Sequence, residues 1–476
     1  MRDFINASPK YFVRSLMLVS VFGLSSCVVH TVENAPKPSV ASADTFSLDQ
    51  RDEDVRLLPG AWWESLDRAG LNALIEQALE NNQDIRAALA VVKQAQAVTT
   101  QTNAQRLPNI ALEGDADKDW QGSDGQRGTA QIGAALDWEI DIFNRIGNAV
   151  KADRLEVVAR REDVQALKLS LSAEVANAYF GAVAANQRLK LLQDQLRLDK
   201  ELLNLLQLRL DNGVGTTVDV LQQKARVADS QTLIPRAQSD MAVFENRIDV
   251  LLGAFPDAQP RVESTDTLDF ADEIPFVSVP SSLLLNRPDL RAAQADLVAA
   301  DADIGAAIAD RLPRVTLSGV YAYADSAGYT GPVLGLLGNL MQPLLDWGQR
   351  KAEVERNKAV YEERLAAFTQ LYLEAVEDVE NALIQERKQR EFLHRLRIQR
   401  DILKQTVSAS EDRYRQGIDD YVLVINALQE LREVERSLIT ERLELVNIRI
   451  ALFRAIGGSI IPSMDNQINN EENHEN

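Results

Sequence analysis

The chain has 476 residues, 45% apolar and 26% charged, with a formal charge of −20. So acidic a surface repels phosphate backbones, which argues against a nucleic-acid partner. The histidines are His30, His394 and His474, with one cysteine and no P-loop. This excludes a histidine-based triad, a multi-histidine metal site, an intrachain disulfide and nucleotide hydrolysis by the chain itself, so neither enzyme activity nor a cofactor is expected.

Residues 1–26 read as a signal peptide. A basic region ends in "KYFVR", and the apolar core "SLMLVSVFGL" is too short to span a membrane. Leu24-Ser25-Ser26-Cys27 is similar to the bacterial lipobox, which implies cleavage before Cys27 and acylation of its thiol. Val28 and Val29 follow, without the Asp that retains lipoproteins in the inner membrane, so delivery to the outer membrane is implied. The competing reading is a plain signal peptide with an incidental buried cysteine. The only cysteine falls at the cleavage position, which favours the lipobox. Residues 27–56, rich in Pro, Ser, Ala and Asp, read as a lipidated tether.

Residues 57–253 form a first structural repeat. A helix is expected over 66–105, where Leu71, Leu74, Ile75, Ala78 and Leu79 recur at three- and four-residue steps. Pro108 ends it, and a hairpin follows over 108–141. Ile110, Leu112, Gly114, Ala116 and Trp120 alternate with Asn109, Glu113, Asp115, Asp117 and Asp119; beyond the "GSDGQRG" turn the alternation resumes through Ile140. One face is apolar and the other acidic. The proline-free run 143–211 reads as one helix. Leu189, Leu196, Leu203 and Leu210, with Leu192 and Leu206 between them, form a heptad seam, with Leu191, Leu198 and Leu205 on an adjacent flank. Two seams imply a helix touching two neighbours. Gly213 and Gly215 end it at a tip, and a return helix is expected over 217–252.

Residues 254–280, acidic and Pro-rich, link this repeat to a second one over 281–457. "RLPNIALEG" (106–114) returns as "RLPRVTLSG" (311–319), an offset of 205. Phe143-Asn144 lies over Trp347-Gly348, Gly213 over Gly417 and Gly253 over Gly457, at 204. The spacing is that of a tandem duplication, far longer than solenoid repeats. Pro313 is the second helix–strand corner, and a hairpin is expected over 313–345, with its fourth strand at 333–345. A long helix over 347–415, a tip at Gly417 and Asp419, and a return helix over 420–456 complete the repeat. Residues 458–476 read as a disordered acidic tail.

Four strands cannot close a barrel, since the smallest have eight, and open edges cannot face lipid. Either the strands lie outside a membrane or several chains share one barrel. The acidic face could serve solubility alone, but its confinement to alternate strand positions favours a water-filled lumen.

Residues 57–457 resemble the TolC-like outer-membrane efflux family, its lipoprotein branch in particular. The resemblance rests on "WWESLDRAGLNALIEQALENNQDI", both "RLP" corners, "LLNRPDLRAAQADL", "PLLDWGQR" and "YRQGIDDYVLVINALQ". It implies a mixed α and β membrane protein: a homotrimer with four transmembrane β-strands per chain in one twelve-strand barrel, continued by a long α-helical coiled-coil tunnel in the periplasm. It implies passive exit of small molecules across the outer membrane, with a periplasmic adaptor, an inner-membrane pump and outer-membrane lipid as partners. Three positions depart from the family pattern. Asn286 stands where Arg is common, Gln294 where Glu is common, and Asn426 where an acidic residue guards the tunnel's closed end.

Val422, Asn426 and Gln429 share one helix face. By pattern alone this is a polar coiled-coil flank; the resemblance makes it the periplasmic aperture. Gly213, Gly215, Gly417 and Asp419 shape the tips expected to contact the adaptor. Two other functions remain open: a type I secretion conduit, and a non-conducting periplasmic coiled-coil scaffold.

Overall fold

A computed structural model describes residues 29–33, 36–41, 45–46, 61–119, 127–257, 259–263, 265–269, 280, 283–326 and 329–458. Cys27, the signal peptide, Trp120, part of the linker and nearly all of the tail lie outside the described residues.

A 3-10 turn (Trp62–Leu66) leads into α1 (Ala69–Asn81), α2 (Gln83–Ala104), β1 (Asn109–Asp119) and β2 (Arg127–Ile140). Helices α3 (Arg145–Asp211) and α4 (Thr217–Leu251) follow. The second half gives α5 (Leu283–Asn286), α6 (Pro288–Ala309), β3 (Arg314–Ser326), β4 (Tyr329–Met341), α7 (Gln349–Arg415) and α8 (Tyr421–Ala455). Lengths repeat: α3 and α7 have 67 residues each, α4 and α8 35 each, α2 and α6 22 each. At 1.5 Å per residue the 67-residue helices are each roughly 100 Å long. Among the described residues no helix is apolar enough to cross a membrane.

The expected helix over 66–105 is broken. Asn82 adopts an extended conformation, and its buried side chain explains why. The Oδ1 accepts from the N–H groups of Asp84 (2.8 Å) and Ile85 (3.3 Å), capping α2, while Nδ2 donates to the Leu251 carbonyl at 3.0 Å. Helix α4 runs on through Pro235, which a helix interior tolerates at the cost of one backbone hydrogen bond.

The residues divide into two compact units: 1–37, 92–159 and 293–367 in one, 38–91, 160–292 and 368–476 in the other. The first contains the sheet, whose four antiparallel strands lie in the order β1-β2-β3-β4. Asn109 pairs with Asp137 in the first hairpin and Arg314 with Met341 in the second, the same register displaced by 205 and 204 residues. The fourth strand lies four residues earlier than 333–345. With apolar residues on both faces it offers no alternation to mark its ends, and Pro343 cannot donate to a ladder. The polar face is acidic only on the first hairpin (Glu113, Asp115, Asp117, Asp137, Glu139); in the second half Ser318, Val320, Ala322, Met341 and Pro343 take those positions.

The second unit holds the main core, in which Trp62 stacks on Phe453 (5.2 Å between ring centres) and donates from Nε1 to Ser172 Oγ at 3.0 Å. Over its last stretch, 186–211, α3 buries Leu192, Gln195, Asp199 and Leu206. The buried line therefore keeps Leu192 and Leu206 of the expected seam, leaves the Leu189–Leu210 series half-buried beside them, and is partly polar. Leu198 and Leu205 stay about half exposed, so in the single chain the second flank has no cover.

Near the end of α4, buried Glu245 and Asp249 hold the returning chain: Glu245 accepts from the Arg261 N–H at 2.7 Å and Asp249 from Arg261 Nε at 2.6 Å. Burial pushes the Glu245 carboxyl above its ordinary range, against the pull of that N–H. The folded chain therefore keeps this proton to higher pH than the unfolded one. Stability from the group is complete below the ordinary carboxylate range and is lost as pH climbs through the raised value. Glu245→Gln removes that loss. Denaturant melts across pH should show the variant more stable at neutral pH, with the gap closing in acid.

Candidate functional site

Both helix–strand corners share one construction. Pro108 and Pro313 each sit between a helix and the first residue of a strand. The carbonyl of the corner arginine accepts from a neighbouring side chain in both: Arg106 from Trp138 Nε1 (2.9 Å), Arg311 from Gln342 Nε2 (3.2 Å).

At the far ends of α3 and α7 the chain turns through Gly213 (φ 75°) and Gly417 (φ 72°). These are Schellman caps, the Val214 N–H reaching back to the Arg209 carbonyl and the Ile418 N–H to Arg413. The next pair of equivalent residues differs. At Gly215 a Cβ would come within 2.9 Å of the Leu210 nitrogen, so the backbone closes tightly there. Its counterpart Asp419 instead takes a fork from Arg413, with Nη2 to Oδ1 at 3.0 Å, which holds the carboxyl below its usual range. Arg209, the counterpart of Arg413, lies over the Tyr414 ring at 4.8 Å, and the Tyr414 hydroxyl donates to Asp219 at 3.3 Å. The two tips thus carry unlike chemistry on one backbone design.

Helix α8 begins just beyond. Tyr421, Val424, Ala427 and Leu431 are buried; Val422, Asn426 and Gln429 share the exposed face. Val422 is 43% exposed, and Gln429 Oε1 accepts from Arg226 Nη2 at 3.2 Å. The three aperture candidates are therefore brought together on one exposed face.

A buried polar cluster behind that face escaped the sequence reading. Asp199 of α3, Gln223 and Ser230 of α4, and Tyr421 and Arg432 of α8 are joined by hydrogen bonds. Burial pushes the Tyr421 phenol upward, and the Asp199 charge adds to the shift. Asp199 sits seven residues from both Leu192 and Leu206, a polar residue in heptad register that could have signalled it.

Paired long helices ending in capped tips, joined to an amphipathic sheet with two unpaired edges, define an outer-membrane channel protein of the helical-tunnel class. The chain belongs to the outer membrane efflux protein family, whose model matches residues 74–254 and 279–458. It is 29% identical to the pyoverdine export outer membrane protein OpmQ of Pseudomonas putida, over 94% of this chain and 97% of that one. It is 27% identical to outer membrane protein OprJ of Pseudomonas aeruginosa, over 94% and 96%. Among solved structures it is similar to the outer-membrane channel OprN, with 29% identity, a TM-score of 0.81, and 91% of this chain and 99% of that chain covered. The protein is an efflux channel of the outer membrane, from a family of channels rather than enzymes.

Proposed function

We propose that three copies build one twelve-strand barrel and one helical tunnel, through which small molecules leave passively. An inner-membrane pump and a periplasmic adaptor would deliver them, the adaptor engaging the tips at Gly213, Gly215, Gly417 and Asp419. The observation that carries this is the sheet: Ile110, Leu112, Leu334 and Leu336 on one face are 68–79% exposed, and β1 and β4 each leave an edge unpaired. Lipid tolerates such a face but not such edges, so other strands have to complete the ladder. Three copies are the number the family resemblance supplies. A non-conducting scaffold has no use for this sheet. Nothing specific favours a type I secretion conduit.

The repeated register and helix lengths support a tandem duplication, with units at 57–253 and 281–457, a linker at 254–280 and a tail at 458–476. We infer further that residues 1–26 are cleaved and that Cys27, at the head of the tether 27–56, is acylated. Replacement of Cys27 by Ala should abolish labelling by a fatty-acid probe while leaving the barrel as a second anchor; equal label on both proteins would contradict acylation.

The duplication supplies the register between copies. Leu136 opposes Gly319 across β2–β3. Shifted by 204 and 205 residues, that pair becomes Leu340 of β4 opposite Gly114 of a neighbouring copy's β1. Leu340→Cys with Gly114→Cys should oxidise to a covalent trimer, whereas Leu340→Cys with Asp115→Cys, on the opposite face, should not. Monomer alone on oxidation of the first pair would rule out this closure.

At the periplasmic end, three copies of Val422, Asn426 and Gln429 would form stacked neutral rings. Asn426→Asp places three like charges together, each disfavouring ionisation of the others. Bilayer recordings should show a looser closed state and stronger cation selectivity. Unchanged conductance and selectivity in an intact trimer would remove Asn426 from the aperture.

A further inference from the structure

We propose that the joint between β4 and α7 is a lipid-binding surface, where Leu344 and Trp347 enter the headgroup layer of the membrane leaflet nearest the helices. The inference rests on the sheet spanning the outer membrane, as proposed above. Leu344 and Trp347 are each 91% exposed, and Leu345 between them is exposed as well. Apolar side chains gathered bare in so short a loop mark a contact surface.

The first half of the chain holds the comparison. At an offset of 204, Ile140 and Phe143 stand for Leu344 and Trp347, and both are half-buried. The backbones of the two joints differ. Asn144 (φ 59°) and Gly348 (φ 89°) are equivalent, and both are left-handed. Trp347 (φ 54°) is left-handed as well, and Phe143 is not. Asparagine and glycine adopt that conformation readily; a bulky aromatic residue does so only under constraint. The extra left-handed residue gives Trp347 a course that Phe143 does not take.

Asp346 supplies the constraint. Its Oδ1 accepts from the Gly348 N–H at 3.0 Å and its Oδ2 from the Arg350 N–H at 3.2 Å. Arg350 Nε donates in turn to Asp310, just past α6, at 3.0 Å. The counterpart of Asp346 is Ile142, which has no acceptor to offer. The second joint is thus built to hold a strained tryptophan that the chain itself leaves bare, and strain held in this way points to a use.

Continuity with the sheet identifies the occupant as lipid. The apolar face of β4 presents Leu334, Leu336 and Leu340, and Leu344 follows in the same even spacing, just past the strand's end at Met341. Trp347 comes next, immediately before the charged helix α7. An indole suits that level: its ring takes apolar contact from acyl chains while Nε1 donates to headgroup oxygens. A neighbouring copy packed as the first half is packed would cover the course of Phe143, which Trp347 does not follow.

Trp347→Phe installs the first half's own residue. Native and variant channels are reconstituted into phosphatidylcholine vesicles brominated near the headgroups, deep in the chains, or not at all. Subtracting variant from native isolates the emission of Trp347 from that of Trp62, Trp63, Trp120 and Trp138. That emission should be blue-shifted and quenched most by the shallow bromines. Emission that no bromine quenches would overturn the proposal, placing Trp347 in water if red-shifted and against protein if blue-shifted; strongest quenching by the deep bromines would overturn it too. A second variant, Trp347→Phe with Leu336→Trp, puts an indole on the sheet's apolar face, where bromine should quench it. Quenching there but none at Trp347 removes the lipid-binding joint and leaves the membrane-spanning sheet; quenching at neither removes both.

Discussion

Backbone hydrogen bonding in a medium without water governs this molecule. Each N–H and C=O that faces hydrocarbon needs a partner, and four strands in linear order always leave two rows without one. Added copies remove that deficit and bring their long helices with them. On this reading the tunnel is a by-product of closing the sheet. A chain with eight strands of its own would be free to be a monomer.

Shared walls also explain the uneven distribution of charge. The first hairpin is acidic on its polar face and the second nearly neutral. Three copies would place these around the barrel as alternating sectors, acidic and neutral. The tips alternate in the same way, an Arg209–Tyr414 stack at one and an Arg413–Asp419 fork at the other. A docking partner would meet two kinds of site on nearly one backbone shape, so the two halves share geometry without sharing identity.

Much of the fold was legible because its signals are periodic or binary. Acid–apolar alternation in β1 and β2, glycine after each long helix, and the 204–205 offset all survive in a single sequence. What escaped lacks such signals. Asn82 looks like one polar residue among helix formers, and only the distant Leu251 carbonyl and the two capped N–H groups make it a joint. Strand β4 is apolar on both faces, so its ends carry no pattern. The Asp199 cluster was hidden by an abundance of leucines: the Leu189 series, with Leu192 and Leu206, satisfied the heptad rule without any polar member. The aperture face was legible as a stripe, but its role came from resemblance.

The corner arginines lead to a last point, about assembly. Each corner carbonyl is claimed by a side chain from the far end of the same hairpin, Trp138 for Arg106 and Gln342 for Arg311. A one-residue slip of β2 or β4 turns that donor to the opposite face and leaves the carbonyl bare. The bend where helix becomes strand can form fully only on a correctly paired hairpin. The corners would thus couple the register of each hairpin to the end of the helix that precedes it.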